Sequence, residues 1–531
     1  MNNQFEKQLE TKLAKPNETI RSHTDNLKKQ AKLMYDNGMI KGEKLFKDIL
    51  TACEYHDYGK LNNEFQARIK SKRKFNPNKE IPHNVLSTLY INREECENYL
   101  AVFFAVLYHH YRKSSSPRNI FMEKEEEIIK FSEDVFGSDD IYYDTEEAIT
   151  DITELFDIDE NTPEKKYAIL LKGLLHKCDY SASAGMQCEI PNNFLNNCLS
   201  KWEKSINSLR DLQSFCKDNS NSNIVVTAPT GMGKTEAGLL WCGDNKCFFV
   251  LPLKTAINAM YERLKENIAG EQYKERLAII HSDMNMQYFK TGALNENGEY
   301  DFEYEERSRK MSLPVTICTP DQIFDFVMKY PGYEYKLATA SYSKFIIDEI
   351  QAYSYDLLAI IMYAIKRIYN VGGKFAVLTA TLPPFIKQEL FNITNGDIKT
   401  ADFSYDGILR HNVKVYEKEL NSEDIYNTIN NVASENTKKF LVVCNSIDTA
   451  TRIYDELIEL FDNSVNINLF HSGFIKKDRS RKEEEILNTT NKNRNDDIEI
   501  WISTSVVEAS LDIDFDILFT ELLDIMSFMY I

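Results

Sequence analysis

From about residue 220 onward, short apolar runs recur between turns, and helical patterns follow them: NIVVTAP, CFFVLPL, LAIIH, VTICTP, KFIIDE, KFAVLTA, KFLVVC, INLFH and IEIWIST. Uninterrupted apolar strands alternating with helices belong to parallel α/β layers, where both faces of the sheet are covered. Nine such runs exceed one sheet of ordinary size, so two α/β units are expected. The polar stretch 217–223 (KDNSNSN) reads as the loop before the first strand. Upstream the texture is helical: Leu27, Ala31 and Met34 recur at helical spacing, and YLAVFFAVLYHHY reads as a buried helix. Asn76-Pro77-Asn78 and the stretch Ser114 to Pro117 are breakers. A chain of 531 residues is too long for one core. The expected division is an all-α domain over 1–205, a first α/β domain over 206–395 and a second, incomplete one over 396–531.

Composition narrows the function. A net charge of -19 argues against coating nucleic acid by bulk electrostatics, though not against a local basic channel. The ten cysteines form no C-x-x-C pair, which predicts reduced buried thiols rather than a zinc ribbon. No run is long and apolar enough for a membrane span, and MNNQFEKQLETKLAK has no signal-peptide core. A cytoplasmic protein with no membrane partner is expected.

Residues 228–235 read APTGMGKT, between the strand NIVVT and the helical EAGLLW. This is a Walker A loop in its proper context, although Ala228 replaces the first glycine. Thr230, Gly231 and Gly233 would let backbone N–H groups reach phosphates, Lys234 would contact the β/γ-phosphates of ATP, and Thr235 would ligate Mg²⁺. The plain alternative is an ordinary strand-turn-helix. In KFIIDEIQ an apolar strand carries Asp348 to its carboxyl end, where α/β sheets place ligands. Asp348 would hold Mg²⁺ through water, and Glu349 would activate the attacking water. The alternative is a solvated acidic strand end.

With these two motifs, the chain from about residue 207 to its end resembles superfamily 2 DExD/H helicases. The resemblance implies RecA-like domains and identifies further residues. Gln351 stands where the D-E-x-H box has His. Thr379-Ala380-Thr381 in LTATLP would couple ATP state to DNA grip. Arg210 and Gln213 in LRDLQ resemble the glutamine motif that reads adenine, with a surface helix as the alternative. Thr255, Asn258, Thr319 and Gln322 would bond DNA phosphates, with helix capping as the alternative. Asn445 and Ser446 after KFLVVC, and then FHSGF, belong to the second half. In STSVVEASLDIDFD, Asp512 would face the ATP ribose, and Ser505 stands where this subgroup usually has Gln. Beyond that the resemblance predicts Q-R-x-G-R, but no arginine follows Arg494. The expectation is a chain truncated before motif VI that binds ATP and turns it over poorly, since arginine fingers contribute of order 10³-fold or more.

Histidine usage supplies the other chemistry: six of nine lie in the first 180 residues. YHDYGK contains His56-Asp57, and the order His23, His56-Asp57, His83, His109-His110, Asp179 resembles that of the HD superfamily of metal-dependent hydrolases. The resemblance implies one or two divalent ions held by these seven residues. Imidazole and carboxylate ligate one ion together, and a carboxylate can bridge two. Such a ligand set suits Mn, Fe, Co, Ni or Zn better than Ca. Adjacent helix positions do not face one way, so His109 and His110 would serve different ions, or one would stand back from the metals. Asp57 and Lys60 would be catalytic, with Lys60 on a phosphate. His176 is assigned to structure. The KSKRK stretch (70–74) is a solvated loop or the lining of a DNA entrance.

Taken whole, the chain resembles the fused nuclease-helicase effector of type I CRISPR systems. That implies recruitment by a guide-RNA surveillance complex, and a motor that draws single-stranded DNA 3′ to 5′ into the HD nuclease. The competing readings are an HD phosphohydrolase with an RNA motor, and an impaired remnant that only binds partners.

Overall fold

The computed structural model describes residues 3–110, 117–136, 150, 153, 159, 162–206, 208–290, 293–294, 298–404, 412–434, 437–462, 464–490, 498–507 and 513–522. A helical amino-terminal part is followed by two parallel-sheet α/β units.

In the helical part, the Ile20–Asp36 helix starts where Thr19 accepts the Ser22 N–H, and it buries Ile20, His23, Leu27, Ala31 and Met34 along one face. The Pro163–Ala184 helix begins with Pro after the cap Thr162 and stops at Gly185 in a left-handed conformation (φ 67°). Glu43–Tyr55 packs against both, and Tyr99–Leu107 packs on Pro163–Ala184 and Glu43–Tyr55. A short antiparallel ribbon, Leu13–Lys15 with Glu18–Thr19, interrupts the otherwise helical order.

One expectation is corrected here. YLAVFFAVLYHHY is not one helix: it ends at Leu107, and His109 and His110 lie beyond it. The His109 ring itself takes up the Val106 carbonyl, Nδ1 to O 2.6 Å, at the point where the chain leaves the helix. His109 and His110 are therefore not adjacent positions of a helix.

All nine apolar runs form strands. The first sheet has seven parallel strands in the order Leu277–Ile280, Val315–Cys318, Lys246–Val250, Ser343–Asp348, Lys374–Thr379, Ile224–Thr227, Lys399–Asp402. The second has four, in the order Asn466–Phe470, Glu499–Thr504, Lys439–Cys444, Ile517–Thr520. Lys399–Asp402 lies past the expected division at residue 395 and pairs with Ile224–Thr227, so the first sheet reaches Asp402. Because the strands are parallel, the loops after Thr227, Val250, Ile280, Cys318, Asp348 and Thr379 share one edge of the sheet.

The helical part sits directly on this first sheet unit. Gly173 lets the Pro163–Ala184 helix meet the Tyr333–Ala340 helix, because a Cβ there would lie 2.1 Å from the Glu334 carbonyl oxygen. All ten cysteines carry free thiols. Among the described residues, no helix is long and apolar enough to cross a membrane.

Candidate metal centre and nucleotide site

His56 caps the Glu43–Tyr55 helix, and Asp57 opens the Tyr58–Leu61 turn that follows. That turn must pass close to the helix His83–Thr88. A Cβ on Gly59 would lie 2.0 Å from the His83 carbonyl oxygen, and the Gly59 N–H donates to Ser87 Oγ at 2.9 Å. Glycine in YHDYGK therefore brings Asp57 against His83.

The Asp57 carboxylate is fully buried at the centre. Its Oδ2 lies 3.3 Å from His56 Nε2 and 3.7 Å from His23 Nε2, while Oδ1 lies 3.5 Å from His83 Nε2 and 3.8 Å from His109 Nε2. His23 Nε2 in turn meets Asp179 Oδ1 at 3.1 Å. Possible ligand atoms form two groups, one from Asp57, His83, His109 and His110, the other from His23, His56 and Asp179. Asp57 touches both.

Three observations fit divalent ions here. His56 Nε2, Asp57 Oδ1, His83 Nε2 and His109 Nε2 are buried with no hydrogen-bond partner among the described residues, an arrangement that is costly unless something else binds them. Atoms each about 2.1 Å from one ion lie roughly 3.0–3.4 Å apart at octahedral or tetrahedral angles; Asp57 Oδ2 to His56 Nε2 falls in that range, and the other Asp57–imidazole separations lie slightly above it. Finally, the ring nitrogens facing away are occupied. His56 Nδ1 donates to the Cys53 carbonyl at 2.9 Å and His109 Nδ1 to that of Val106, which turns each Nε2 toward Asp57. For His23, the Glu18 carboxylate lies 3.3 Å from Nδ1.

Protonation is mixed: burial alone would lower the His56 imidazole, but the Asp57 carboxylate raises it. Burial alone would raise the Asp57 carboxyl, but the charges of His56 and Lys60 hold it well below the usual carboxylate range. Burial and Lys60 push His83 well down, and burial with His109 does the same to His110, so both rings are neutral. Lys60 Nζ sits 2.6 Å from Asp57 Oδ2. His176 joins neither group; burial pushes it down to about 3, and its ring stacks on Tyr180. The 70–74 stretch lies at an exposed helix end. Sequence reasoning missed Ser183, whose hydroxyl donates to Asp179 Oδ1 at 3.1 Å; its i+4 spacing from Asp179 was a readable signal.

The candidate nucleotide site lies on the shared edge of the first sheet. Gly231 and Gly233 have positive φ (75° and 82°), which the loop before the Lys234–Cys242 helix requires. Gln213 is buried against it: a Cβ on Gly233 would meet Gln213 Nε2 at 2.6 Å, and Arg210 Nη1 donates to the Gly231 carbonyl at 2.6 Å. The Arg210–Gln213 pair is thus packed onto the loop rather than standing on a free surface helix. Lys234 pairs with the Glu349 carboxylate and also donates to the Ala228 carbonyl at 3.3 Å. Thr230 is exposed on the loop and Thr235 lies in the first turn of the helix. Burial, then the neighbouring Glu349, push Asp348 up to about 7 against the pull of Lys234, and its Oδ1 is buried with no partner among the described residues. An unpaired carboxylate oxygen beside a phosphate loop fits Mg²⁺.

The four residues expected on DNA occupy the same edge. Thr255 and Asn258 lie within the Lys254–Leu264 helix and cap nothing. Asn258 Oδ1 bonds His281 Nε2 at 3.0 Å. Thr319 stands at the N-cap of the Pro320–Ile323 turn, but its hydroxyl is buried and makes no capping bond. Gln322 donates to Asp321 Oδ2 at 2.8 Å. In the second unit, Ser446 caps the Ile447–Phe461 helix. Asp512 lies outside the described residues.

Two family models match the α/β part, and relatives match most of the chain. The model for the DEAD/DEAH box helicase family matches residues 211–388, and that for the CRISPR-associated nuclease/helicase Cas3 C-terminal region matches 436–529. The CRISPR-associated nuclease/helicase Cas3 of Methanothermobacter thermautotrophicus is 26% identical, over 91% of this chain and 66% of its own length. Among solved structures, AMPPNP-bound T. fusca Cas3 superposes with a TM-score of 0.68 at 16% identity, covering 98% of this chain and 72% of that one. A chain of a pre-nicking CRISPR RNA-guided surveillance complex gives 0.57 at 17% identity, covering 96% and 68%.

Proposed function

We propose that this chain, a relative of Cas3 nuclease/helicases, cuts single-stranded DNA at an HD-type metal centre in its helical part and uses ATP in its α/β units to move that strand. The observation that carries the nuclease half is the Asp57 carboxylate, which presents each of its oxygens to a separate set of buried imidazole nitrogens. We assign His23, His56, Asp57 and Asp179 to one ion and Asp57, His83, His109 and His110 to a second. Divalent ions held there would supply Lewis acidity toward a phosphodiester.

The chain's own groups prepare the site. The Cys53 and Val106 carbonyls hold two imidazoles in the tautomer that presents Nε2. Lys60 keeps Asp57 ionised and places a positive charge where a phosphate oxygen would approach. In the motor, Lys234 and Glu349 neutralise one another while no phosphate is present. ATP phosphates would draw Lys234 away and leave Glu349 to orient water. Thr235 and Asp348 would share Mg²⁺, Gln213 would read adenine, Asp512 would face the ribose, and Thr255, Asn258, Thr319 and Gln322 would hold DNA phosphates.

The solved likeness seated in a guide-RNA surveillance complex supports the same partner for this chain, and the cytoplasm, which holds both DNA and ATP, as its location. The deciding experiment is Mn²⁺-dependent cleavage of a labelled single strand by the full chain without ATP. Cleavage lost in Asp57→Ala supports the reading. Hydrolysis of free dNTPs in place of the strand would overturn it.

A further inference from the structure

Glu189 lies in the segment between the Pro163–Ala184 and Leu195–Ser205 helices and is almost completely buried. Its two carboxylate oxygens face different parts of the protein. Oε1 pairs with Lys177 Nζ at 2.8 Å and accepts the Tyr342 hydroxyl at 2.7 Å. Oε2 pairs with Lys246 Nζ at 2.7 Å. Lys177 belongs to the helix that carries Asp179, whereas Lys246 opens the Lys246–Val250 strand of the first sheet and Tyr342 immediately precedes the strand that ends in Asp348. None of these groups enters the chemistry assigned above.

Two residues along an α-helix turn about 200°. Lys177 and Asp179 therefore project from opposite sides of one rod: Asp179 reaches His23, and Lys177 reaches the first sheet unit. Lys177 Nζ is fully enclosed there, 3.3 Å from Thr339 Oγ1 and 3.4 Å from the Lys310 carbonyl, and it lies over the Tyr335 ring. The neighbouring backbone is tied on both sides. Cys188 N–H donates to Gln30 Oε1 at 2.9 Å, on the helix that carries His23, and Ile190 N–H donates to the Ser312 carbonyl at 2.8 Å, beside the sheet. Buried ion pairs stabilise poorly relative to apolar packing, and their best-attested use is to enforce one arrangement among alternatives. Here the arrangement enforced is the position of the Asp179 helix along its axis and about it.

We propose that Glu189 is a positioning residue for the metal centre: through Lys177 it fixes where Asp179 meets His23, and through Lys246 it fastens that helix to the central part of the motor sheet. This rests on the nuclease reading above. A helix released from Lys177 can slide or turn by the fraction of an ångström that ligand geometry does not tolerate, while the nucleotide loop on the far edge of the sheet is undisturbed.

The test is Mn²⁺ titration of the full chain with free Mn²⁺ followed by electron paramagnetic resonance, and ATP binding measured on the same samples. Lys177→Met leaves Glu189 neutralised by Lys246 and should bind Mn²⁺ about tenfold more weakly, the usual effect of losing a group behind a ligand, with ATP affinity unchanged. Glu189→Asp leaves the charges unchanged but shortens the arm, and should weaken Mn²⁺ binding in the same selective way. Wild-type Mn²⁺ affinity in folded Lys177→Met overturns the proposal, as does equal loss of Mn²⁺ and ATP binding. If Lys177→Met gives no cooperative unfolding transition, Glu189→Asp decides by the same outcomes. A wild-type chain that takes up no Mn²⁺ overturns the nuclease reading itself, and the positioning role with it.

Discussion

The backbone N–H of Ala380 donates to Glu349 Oε2 at 2.9 Å, which joins the acid expected to activate water to the Thr379-Ala380-Thr381 segment. Gln351 completes the link: its Nε2 donates to Glu349 Oε2 at 2.7 Å, and its Oε1 accepts the Thr379 hydroxyl. The departure from His at this position therefore keeps a donor toward Glu349 and adds an acceptor toward Thr379. Gln351→Ala should leave ATP binding unchanged while reducing any stimulation of ATP turnover by single-stranded DNA several-fold. ATPase assays with and without the strand measure this, and stimulation equal to wild type would refute the link.

Asp57→Ala should abolish single-strand cleavage and weaken Mn²⁺ uptake while sparing ATP binding, because the Asp57 carboxylate lies between the two ligand groups. Lys234→Ala should do the reverse on naked single strands. EDTA should reproduce the Asp57→Ala result on cleavage. Both activities disappearing together in either folded variant would contradict the separation of sites.

Nucleotide binding with Mg²⁺ should strengthen as pH rises through about 7. Asp348 is held up to about 7 by burial and by Glu349, so below that pH a proton competes with the cation, and above it the ionised carboxylate is ready. ATP affinity in the presence of Mg²⁺, measured between pH 6 and pH 8.5, should rise in the wild type and stay flat in Asp348→Asn. A flat wild-type profile would count against Asp348 as a Mg²⁺ contact.

Gly59→Ala should destabilise the helical part by about 1–3 kcal/mol, the usual cost of overpacking, since the new Cβ would overlap the His83 carbonyl. Thermal unfolding should shift down by several degrees, and single-strand cleavage should fall more than ATP binding, because His83 must move. A cleavage rate equal to wild type would show that the close approach is not needed.

Local pattern carried a large part of the fold. The nine strands were readable because strands buried on both faces are continuously apolar, and GKT and DE sit at strand ends where backbone geometry alone puts them. Four strands were not readable: the two short ones of the Leu13–Lys15 and Glu18–Thr19 ribbon, and two at sheet edges. Lys399–Asp402 is a sheet edge with mostly exposed side chains, and Ile517–Thr520 is an edge of the smaller sheet. Lys399–Asp402 has no apolar signature; Ile517–Thr520 is apolar but short and only partly buried. The helix through His109 and His110 was overread for a related reason: apolar periodicity marks burial, and the turn after Leu107 is buried too.

The sequence by itself determined which chemistries were available: a phosphate loop, an acid pair and an ordered set of imidazoles and carboxylates. Tertiary structure decided how they combine. His23 and Asp179 are 156 residues apart and meet at 3.1 Å only because their helices pack together. Which Asp57 oxygen faces which imidazole, which carbonyl meets each ring, and that Glu189 joins the Pro163–Ala184 helix to the first sheet all follow from contacts between distant segments. Such contacts are fixed by shape and charge in the packed interior, and no period or spacing along the chain encodes them.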